Sequence, residues 1–245
     1  YNKAVYDVTK AETGEGVIWA RSAWSGSQKF PVHWGGDADN SDNAMLATLR
    51  GGLSLGLCGF SFWSHDIGGF VKQSPEELYR RWLPFGMLTS HSRCHGAPPT
   101  EPWEYSEEFL DLFRRCAELK YRLMPYILQQ AEECCANGFP MLRTLFFEFP
   151  NDPGAWLIED EYMFGSDLLV APLFESGQDK RQVYLPKGEW VDYFSGVSYA
   201  QGWHEMTAGD IPIILLARKG AIIPHIEAAP CTDELDWSVI EQKKY

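Results

Sequence analysis

The residues HWGGDAD run from His33 to Asp39, directly after the apolar residues Pro31 and Val32, and carry a strong signal of the fold. A related stretch, CGFSFWSHDIGGF, runs from Cys58 to Phe70 after a short helical pattern. Both place carboxylates, aromatic rings and imidazoles on a glycine-rich corner at the end of an apolar run. Rings stack on sugar faces, and a fixed carboxyl group can protonate a leaving oxygen. The two stretches therefore indicate a carbohydrate site.

Short apolar runs alternate with helical patterns over residues 1–140. We interpret four of the runs as buried strands, because each is bounded by glycine or polar residues and ends beside polar or aromatic side chains. Strands that alternate with helices predict α/β organisation, with the site at the carboxyl ends of the strands. The predicted strands are Val17–Ala20, Pro31–Trp34, Gly59–Trp63 and Met87–Thr89.

Two helix starts in this part follow known capping patterns. Ser74 precedes Pro75 and Glu77, which predicts a capped start with proline as the first helical residue. Ser106 begins the longest predicted helix, whose apolar residues keep a helical period to about residue 136. Pro125 lies inside that helix, so we expect a kink there.

The pattern of apolar and turn residues changes after about residue 140. Short β-rich runs are separated by turns that contain Gly or Pro, which predicts an antiparallel β-sandwich. We therefore divide the chain into an α/β domain (1–140), a β-sandwich (141–225) and the start of a further, truncated β-domain (226–245). The predicted strands are Met141–Phe149, Leu168–Pro172, Gln182–Leu185, Trp190–Phe194, Ile211–Leu216 and Ala221–Pro224.

Composition and motifs exclude several classes of protein. The net charge is −13 and no basic stripe is present, which excludes nucleic acid as a partner. No run approaches the ~20 apolar residues of a membrane helix. The Walker and dinucleotide motifs (G-x-x-x-x-G-K and G-x-G-x-x-G) do not occur, so we expect no nucleotide cofactor.

Cysteine usage and the first residue bear on location. The six cysteines match no disulfide framework and no zinc pattern, so we favour reduced thiols and expect a cytoplasmic protein. The chain begins at Tyr1 and shows no signal-peptide pattern. Because the first residue is not Met, we also expect a processed or excised piece.

Asp37 is our candidate general acid/base. A carboxyl group beside aromatic rings and partly removed from water can donate a proton to a leaving group. The residue can equally turn the loop or cap the next helix, and the residues alone leave both interpretations open. Trp34 and Trp63 end their strands beside polar residues, so we favour stacking roles for both rings. Arg21 can bind hydroxyl groups or a carboxylate through its forked donors, or simply lie on the surface.

A metal site is the second chemistry that these strand ends allow. Barrel hydrolases can gather His and Asp side chains from several strand ends around zinc. No H-x-H or H-E-x-x-H spacing occurs, so we favour hydrogen-bonding roles and expect no metal. The residues concerned are His33, His65, His91, His95, Asp37, Asp39 and Asp66.

Longer motifs resemble glycoside hydrolase family 31 over essentially all of residues 1–225. The motifs WGGD (Trp34–Asp37), LRGGLSLG (Leu49–Gly56) and GFSFWSHDIGGF (Gly59–Phe70) carry the resemblance. The motif SHSRCHG (Ser90–Gly96) resembles the α-xylosidase branch of the family more than typical α-glucosidases. The motif YMFGSDLLVAP (Tyr162–Pro172) resembles the entry into the C-terminal sandwich of the family.

The resemblance implies a (β/α)8 barrel followed by a β-sandwich, and a retaining mechanism on α-linked sugars. Asp37 matches the general acid/base of the family. The positions that bind the sugar match Arg21, Trp63, Asp66 and His95, and Phe70 lies on the same rim.

One departure limits what the resemblance implies. The nucleophile of the family is an Asp on the barrel strand before the first strand seen here, and Asp7 is not in its motif. Retaining hydrolysis needs two carboxyl groups about 5–5.5 Å apart. We therefore expect the second half of a barrel plus the proximal sandwich, inactive by itself and with two exposed strand edges.

The expected parent protein is an exo-acting hydrolase that removes terminal α-xylosyl or α-glucosyl residues from oligosaccharides. Its expected partners are the oligosaccharide and the missing N-terminal half of the same protein, and a homo-oligomer stays open. The alternatives are an α-glucosidase rather than an α-xylosidase, a non-catalytic carbohydrate-binding piece, and a metal-dependent barrel hydrolase.

Overall fold

The computed structural model of the chain describes residues 1–97 and 100–245. The loop that Pro98 and Pro99 predict lies outside the described residues. No helix in the described ranges is both long enough and apolar enough to cross a membrane. The helices are α1 (Asn2–Thr13), α2 (Asp42–Leu57), α3 (Glu76–Met87), α4 (Glu107–Arg122), α5 (Met124–Asn137) and α6 (Leu145–Glu148). The strands are β1 (His33–Trp34), β2 (Trp63–Ser64), β3 (Leu142–Arg143), β4 (Tyr162–Phe164), β5 (Leu168–Pro172), β6 (Lys180–Asp192), β7 (Ser198–Thr207), β8 (Ile213–Arg218), β9 (Ile222–His225) and β10 (Glu241–Lys244).

Extended segments lie side by side in chain order and form the parallel part of the fold. The N–H groups of Ile18 and Ala20 donate at 2.8 and 2.9 Å to the segment that leads into β1. β1 pairs in parallel with β2. A parallel bridge then joins Asp66, just after β2, to Arg93. The order of these segments confirms the predicted α/β organisation, although the regular strands are shorter than predicted.

The predicted strand Met87–Thr89 is wrong. Met87 closes α3, and the parallel contact comes later, at Arg93. The helix extends this far because Trp82 and Phe85 keep the helical period and are fully buried. Two carbonyls of the predicted strand accept hydrogen bonds from the ammonium of Lys120 instead of from a neighbouring strand.

One of the two predicted helix caps is confirmed and the other is wrong. Ser106 caps α4, and its Oγ accepts an N–H of the first turn at 3.1 Å. At α3 the prediction is wrong, because Pro75 is the N-cap and its extended backbone (ψ 135°) leaves Ser74 one residue too early to reach the first-turn amides. The predicted kink is confirmed as a break at Leu123, two residues before Pro125.

The β-rich part is a six-stranded antiparallel sheet in the order β3-β4-β5-β8-β6-β7, and β9 pairs with β10 beside it. This arrangement confirms the predicted antiparallel sheet. The predicted strands Gln182–Leu185 and Trp190–Phe194 form one strand, β6, whose register shifts after Leu185. The predicted strand Met141–Phe149 is wrong beyond β3, because the chain forms the short helix α6 there. Nη1 of Arg143 donates a hydrogen bond to Oε1 of Glu148 in this helix at 2.6 Å.

The sheet and the helices share one hydrophobic core across residue 140. Successive side chains of β5 point to opposite faces of the sheet. Leu168 and Val170 join the core that holds Trp82 of α3, whereas Leu169 and Ala171 belong to a second core on the other face. A strand buried on both faces has no polar alternation, which explains the continuous apolar run LLVAP. The division into three domains stays a prediction.

Candidate active site

The loop after β1 folds back over Arg21. Gly35 donates its N–H to the carbonyl of Ser64 at 3.1 Å, which keeps the loop at the end of the parallel segments. Gly36 follows with φ +87°, and a Cβ atom there would lie 2.7 Å from Nε of Arg21. The left-handed backbone favours glycine at this position, and a side chain there would also displace the exposed guanidinium of Arg21. The turn brings the next residue, Asp37, to Arg21.

Asp37 and Arg21 form an ion pair at the mouth of the site. Nη1 of Arg21 lies 3.3 Å from Oδ2 of Asp37, and the two side chains are 57% and 40% exposed. An exposed pair of this kind contributes about 1 kcal/mol or less to stability, because water screens it. Its consequence is geometric: a carboxyl group is held at a strand end while it stays open to solvent and to a ligand.

Asp66 is buried, and one of its oxygens has no partner. Nη2 and Nε of Arg93 lie 2.6 and 3.0 Å from Oδ1 of Asp66. Oδ2 has no hydrogen-bond donor within the described part of the chain. Burial raises the pKa of Asp66, against the opposing effect of Arg93, and the charge of Asp37 raises it slightly further. A buried oxygen without a donor is costly, so Oδ2 is a ready acceptor for a ligand hydroxyl.

Arg93 itself lies between two indole rings. Its guanidinium carbon is 4.8 Å from the ring centre of Trp19 and 5.0 Å from that of Trp34. Sequence reasoning did not assign a role to Arg93 or Trp19. A signal was present, because a carboxylate as buried as Asp66 needs a cationic partner. Nothing in the sequence identified which of the arginines supplies it.

Trp63 and His65 lie deeper, between the strands and the helices. The Trp63 side chain is buried and belongs to the main core, where it packs on Gly52 of α2. His65 stacks on Phe85 with ring centres 4.4 Å apart, and neither of its nitrogens has a partner among the residues described. Burial, and then the charge of His91, lowers the pKa of His65 to about 3, so the ring is neutral. A sugar-binding role for Trp63 stays a prediction.

Phe70 and His95 form the opposite rim. Their ring centres are 5.3 Å apart. The N–H of Phe70 donates to the carbonyl of Ala38 at 2.8 Å, which ties this rim to the loop that carries Asp37. His95 is close enough to Asp66 for its charge to lower the pKa of that carboxyl. His95 therefore lies near the buried Asp66, and Phe70 lies next to His95; a sugar-binding role for either stays a prediction.

A cleft of about 460 Å³ connects several of these groups. Four predicted site residues line it, together with His65 and small residues of α2; they are Arg21, Trp34, Asp37 and Trp63. The indole N–H groups of Trp34 and Trp63 are buried there without an acceptor among the described residues. A cleft of about 560 Å³ lies in the β-rich part, and one of about 900 Å³ lies between α4 and the β-rich part, but neither is lined by a predicted site residue. The smallest cleft thus brings Arg21, Trp34, Asp37 and Trp63 together, whereas Asp66, Phe70 and His95 do not line it, and its role in binding stays a prediction.

Within residues 1–97 and 100–245, no three His, Cys, Asp or Glu side chains are grouped so that they could hold a metal ion. His33 contacts the amide of Asn2 at 3.2 Å, and His91 contacts Ser90 Oγ at 2.9 Å. These histidines act as hydrogen-bonding groups.

Comparison with known proteins identifies two family domains and curated relatives. Residues 1–130 match the glycosyl hydrolases family 31 TIM-barrel domain, and residues 138–223 match the family 31 C-terminal domain. An α-xylosidase of Emericella nidulans is 42% identical over 91% of this chain. α-Xylosidase XylQ of Lactiplantibacillus pentosus is 39% identical over 94% of this chain. The chain spans only 30% and 31% of the lengths of these two relatives.

Solved structures show the same similarity. A family 31 α-xylosidase from a soil metagenome, complexed with xylose, is 33% identical with a TM-score of 0.85, over 90% of this chain and 37% of that one. The family 31 dextranase of Flavobacterium johnsoniae, complexed with isomaltotriose, is 32% identical with a TM-score of 0.87, over 95% of this chain and 31% of that one. The predicted fold class, part of a TIM barrel followed by an antiparallel β-domain, is confirmed. The chain belongs to glycosyl hydrolase family 31.

Proposed function

We propose that this chain carries the general acid/base and part of the sugar-binding wall of a retaining α-glycosidase. The proposed enzyme removes terminal α-xylosyl or α-glucosyl residues from oligosaccharides. The observation that carries the proposal is the carboxyl group of Asp37, held by Arg21 at the mouth of a cleft with unpaired buried donors. The identity to two α-xylosidases favours xylose as the sugar.

In this proposal Asp37 works twice. It first donates a proton to the leaving glycosidic oxygen and then takes a proton from the water that hydrolyses the intermediate. Oδ2 of Asp66 accepts a hydrogen bond from a sugar hydroxyl, because it is buried and has no donor in the part of the chain described. The ion pair with Arg21 keeps the carboxyl group of Asp37 in place relative to the sugar that Asp66 binds.

The reaction also needs a second carboxylate as its nucleophile. We propose that this carboxylate comes from a part of the protein outside these residues. Asp66 is already bonded to Arg93 through two contacts. The relatives are about three times as long as this chain, which leaves room for such a part. The backbone N–H and C=O of Trp19 bond to no described residue, although its neighbours Ile18 and Ala20 are paired. This unpaired edge of the parallel segments is the place where a further barrel strand would add.

The cytoplasm is the location that we propose for the protein. All six cysteines are free thiols, and two of them, Cys134 and Cys135, are adjacent in α5. Free thiols persist in a reducing compartment. Fractionation of the source cells, with detection of this chain, tests the proposal, and recovery outside the cytoplasm would contradict it.

The decisive experiment compares the full-length protein with its Asp37→Ala variant on two α-xylosides that differ in leaving group, with kcat/KM as the measure of bond cleavage. With 2,4-dinitrophenol as leaving group, no proton is needed, so bond cleavage by the variant should stay near the wild-type rate. With an unactivated alcohol as leaving group, the rate should fall by about 10²–10⁴-fold, the usual contribution of a general acid. Equal losses on both substrates would remove Asp37 from the acid role.

Two further measurements complete the test. Rates on matched α-xyloside and α-glucoside decide between the two sugars, because the assay changes only the hydroxymethyl group. Light scattering on the full-length protein shows whether the unpaired edge at Trp19 is covered within one chain or by a second copy. Absence of hydrolysis of either glycoside by the unmodified protein would end the proposal.

A further inference from the structure

Lys120 of α4 is a buried cation without an anionic partner in the described residues. The residue is 8% exposed, and its ammonium donates to the carbonyls of Met87 and Thr89 at 3.1 and 2.8 Å. Burial alone lowers the pKa of Lys120, to about 7. Burial of an ammonium without a carboxylate partner is costly, so its two hydrogen bonds to carbonyls are the interactions that offset this cost.

The carbonyls that Lys120 binds belong to the segment that leaves α3, residues 86–92. The carbonyls of Gly86 and Leu88, on either side of Met87, also accept side-chain donors. Tyr162 donates to Leu88 at 2.8 Å, and Thr89 Oγ1 donates to Gly86 at 2.7 Å. Ser90 Oγ donates to the carbonyl of Trp63 in β2 at 3.2 Å, which fixes the segment to the parallel strands.

Arg93 directly follows the segment. Its guanidinium makes both contacts to the buried carboxylate of Asp66, and its carbonyl accepts the N–H of Ile67 at 3.2 Å. A displacement of the segment would therefore move Arg93 and Asp66 together. Among the residues that the structure describes, Lys120 is the charged side chain that bonds the start of the segment from the helical side.

We propose that Lys120 is a positioning residue for the sugar site, acting through residues 86–92 on Arg93 and Asp66. The inference rests on the proposed function, because it gives Asp66 the role of binding the sugar. Lys120 does not touch the sugar. Its compact ammonium offers three donors and can bond two carbonyls two residues apart, which an apolar side chain of equal length cannot do.

The first test is independent of activity. In the full-length protein, Lys120→Met should make amide hydrogen exchange in peptides covering residues 86–94 about tenfold faster and leave other peptides unchanged. Tyr126→Phe is the matched control, because its hydroxyl is buried and donates to Phe164 at 2.6 Å, away from this segment. Lys120→Gln keeps one donor group and should give an intermediate rate, which also serves if the Met variant does not fold. Exchange that rises evenly over the chain, or not at all, overturns the proposal.

The second test measures coupling. Lys120→Met should lower kcat/KM for an aryl α-xyloside by about tenfold, mainly through a higher KM, because the sugar-binding pair is displaced. Combined with Arg93→Lys, it should cause little loss beyond that of Arg93→Lys alone, because both changes act on the same pair. Losses that multiply in the double variant would contradict the proposal. An unmodified protein without glycosidase activity would instead refute the proposed function, and hydrogen exchange would still decide the role of Lys120.

Discussion

Arg93 binds the buried carboxylate of Asp66 through one oxygen only, and the other oxygen has no donor among residues 1–97 and 100–245. The two residues are 27 positions apart and meet where the parallel segments end. Within a protein interior, an incompletely bonded carboxylate is costly, so this arrangement is expected where a ligand completes the bonding. The pair thus links the stability of the strand ends to the proposed binding of a sugar.

Removal of one partner of this pair should be strongly destabilising. We expect Arg93→Met to lower the free energy of unfolding by about 3 kcal/mol, because Asp66 is then buried without a cation. The double variant Arg93→Met with Asp66→Asn should recover most of the loss, since no unpaired charge remains. Urea denaturation of the three proteins measures both values, and a double variant no more stable than the single one would contradict this view.

Gly52 of α2 should not tolerate a side chain. A Cβ atom there would lie 1.9 Å from the indole of Trp63, so we expect Gly52→Ala to destabilise the protein by about 1–3 kcal/mol or more. The adjacent Gly51 has no atom within 4 Å of its Cβ position. Gly51→Ala is the matched control and should stabilise the helix by about 0.5–1 kcal/mol. Thermal unfolding of both variants checks the prediction, which fails if the two shifts have the same sign.

Gly36 should control the position of Asp37 in the proposed reaction. Gly36→Ala strains a backbone with φ +87° and makes the exposed side chain of Arg21 move away from Asp37, because the new Cβ would lie 2.7 Å from its Nε. A small displacement of a catalytic group can cost about 10²-fold in rate, so we expect a loss of that order in kcat for α-xyloside hydrolysis. Gly35→Ala, which meets no atom within 4 Å, should keep most of the activity. Equal kcat values for the two variants would show that the turn does not position Asp37.

Glu161 should make stability depend on pH. It is fully buried, and burial raises its pKa to about 8, against the opposing effect of Arg181. The folded state therefore binds more protons than the unfolded state between the ordinary pKa of 4.5 and about 8, so stability falls as pH rises through this window. The slope from this one group is at most about 1.4 kcal/mol per pH unit.

Glu161→Gln removes that titration. We expect the free energy of unfolding of the variant to fall less between pH 5 and about 8 than that of the unmodified protein, with the gap widening as pH rises. Glu159→Gln is the control, because Glu159 is exposed and pairs with Arg50 at the surface. Urea denaturation at several pH values measures the slopes, and parallel curves for all three proteins would rule out the raised pKa.

Some features of the fold were predictable because their signals are local. The glycine-rich corner after a short apolar run predicted the strand end at Trp34, and the run LLVAP predicted β5 with the bounds that the structure has. A three-residue run carries no periodicity, and for this reason Met87–Thr89 was misread as a strand. The predicted cap at Ser74 is wrong because the exact residue at which α3 begins depends on how the helix packs, not on the capping pattern.

The family, the α/β order followed by β-strands, and the candidate residues around Asp37 could be predicted because they follow from contiguous motifs. Which side chains meet depends on how the segments pack. Arg93 reaches Asp66 because two segments become neighbours in a parallel sheet, and Lys120 reaches Thr89 because α4 packs beside α3. Such contacts join residues about 30 positions apart, and their choice depends on the packing of the whole core, which no local pattern encodes.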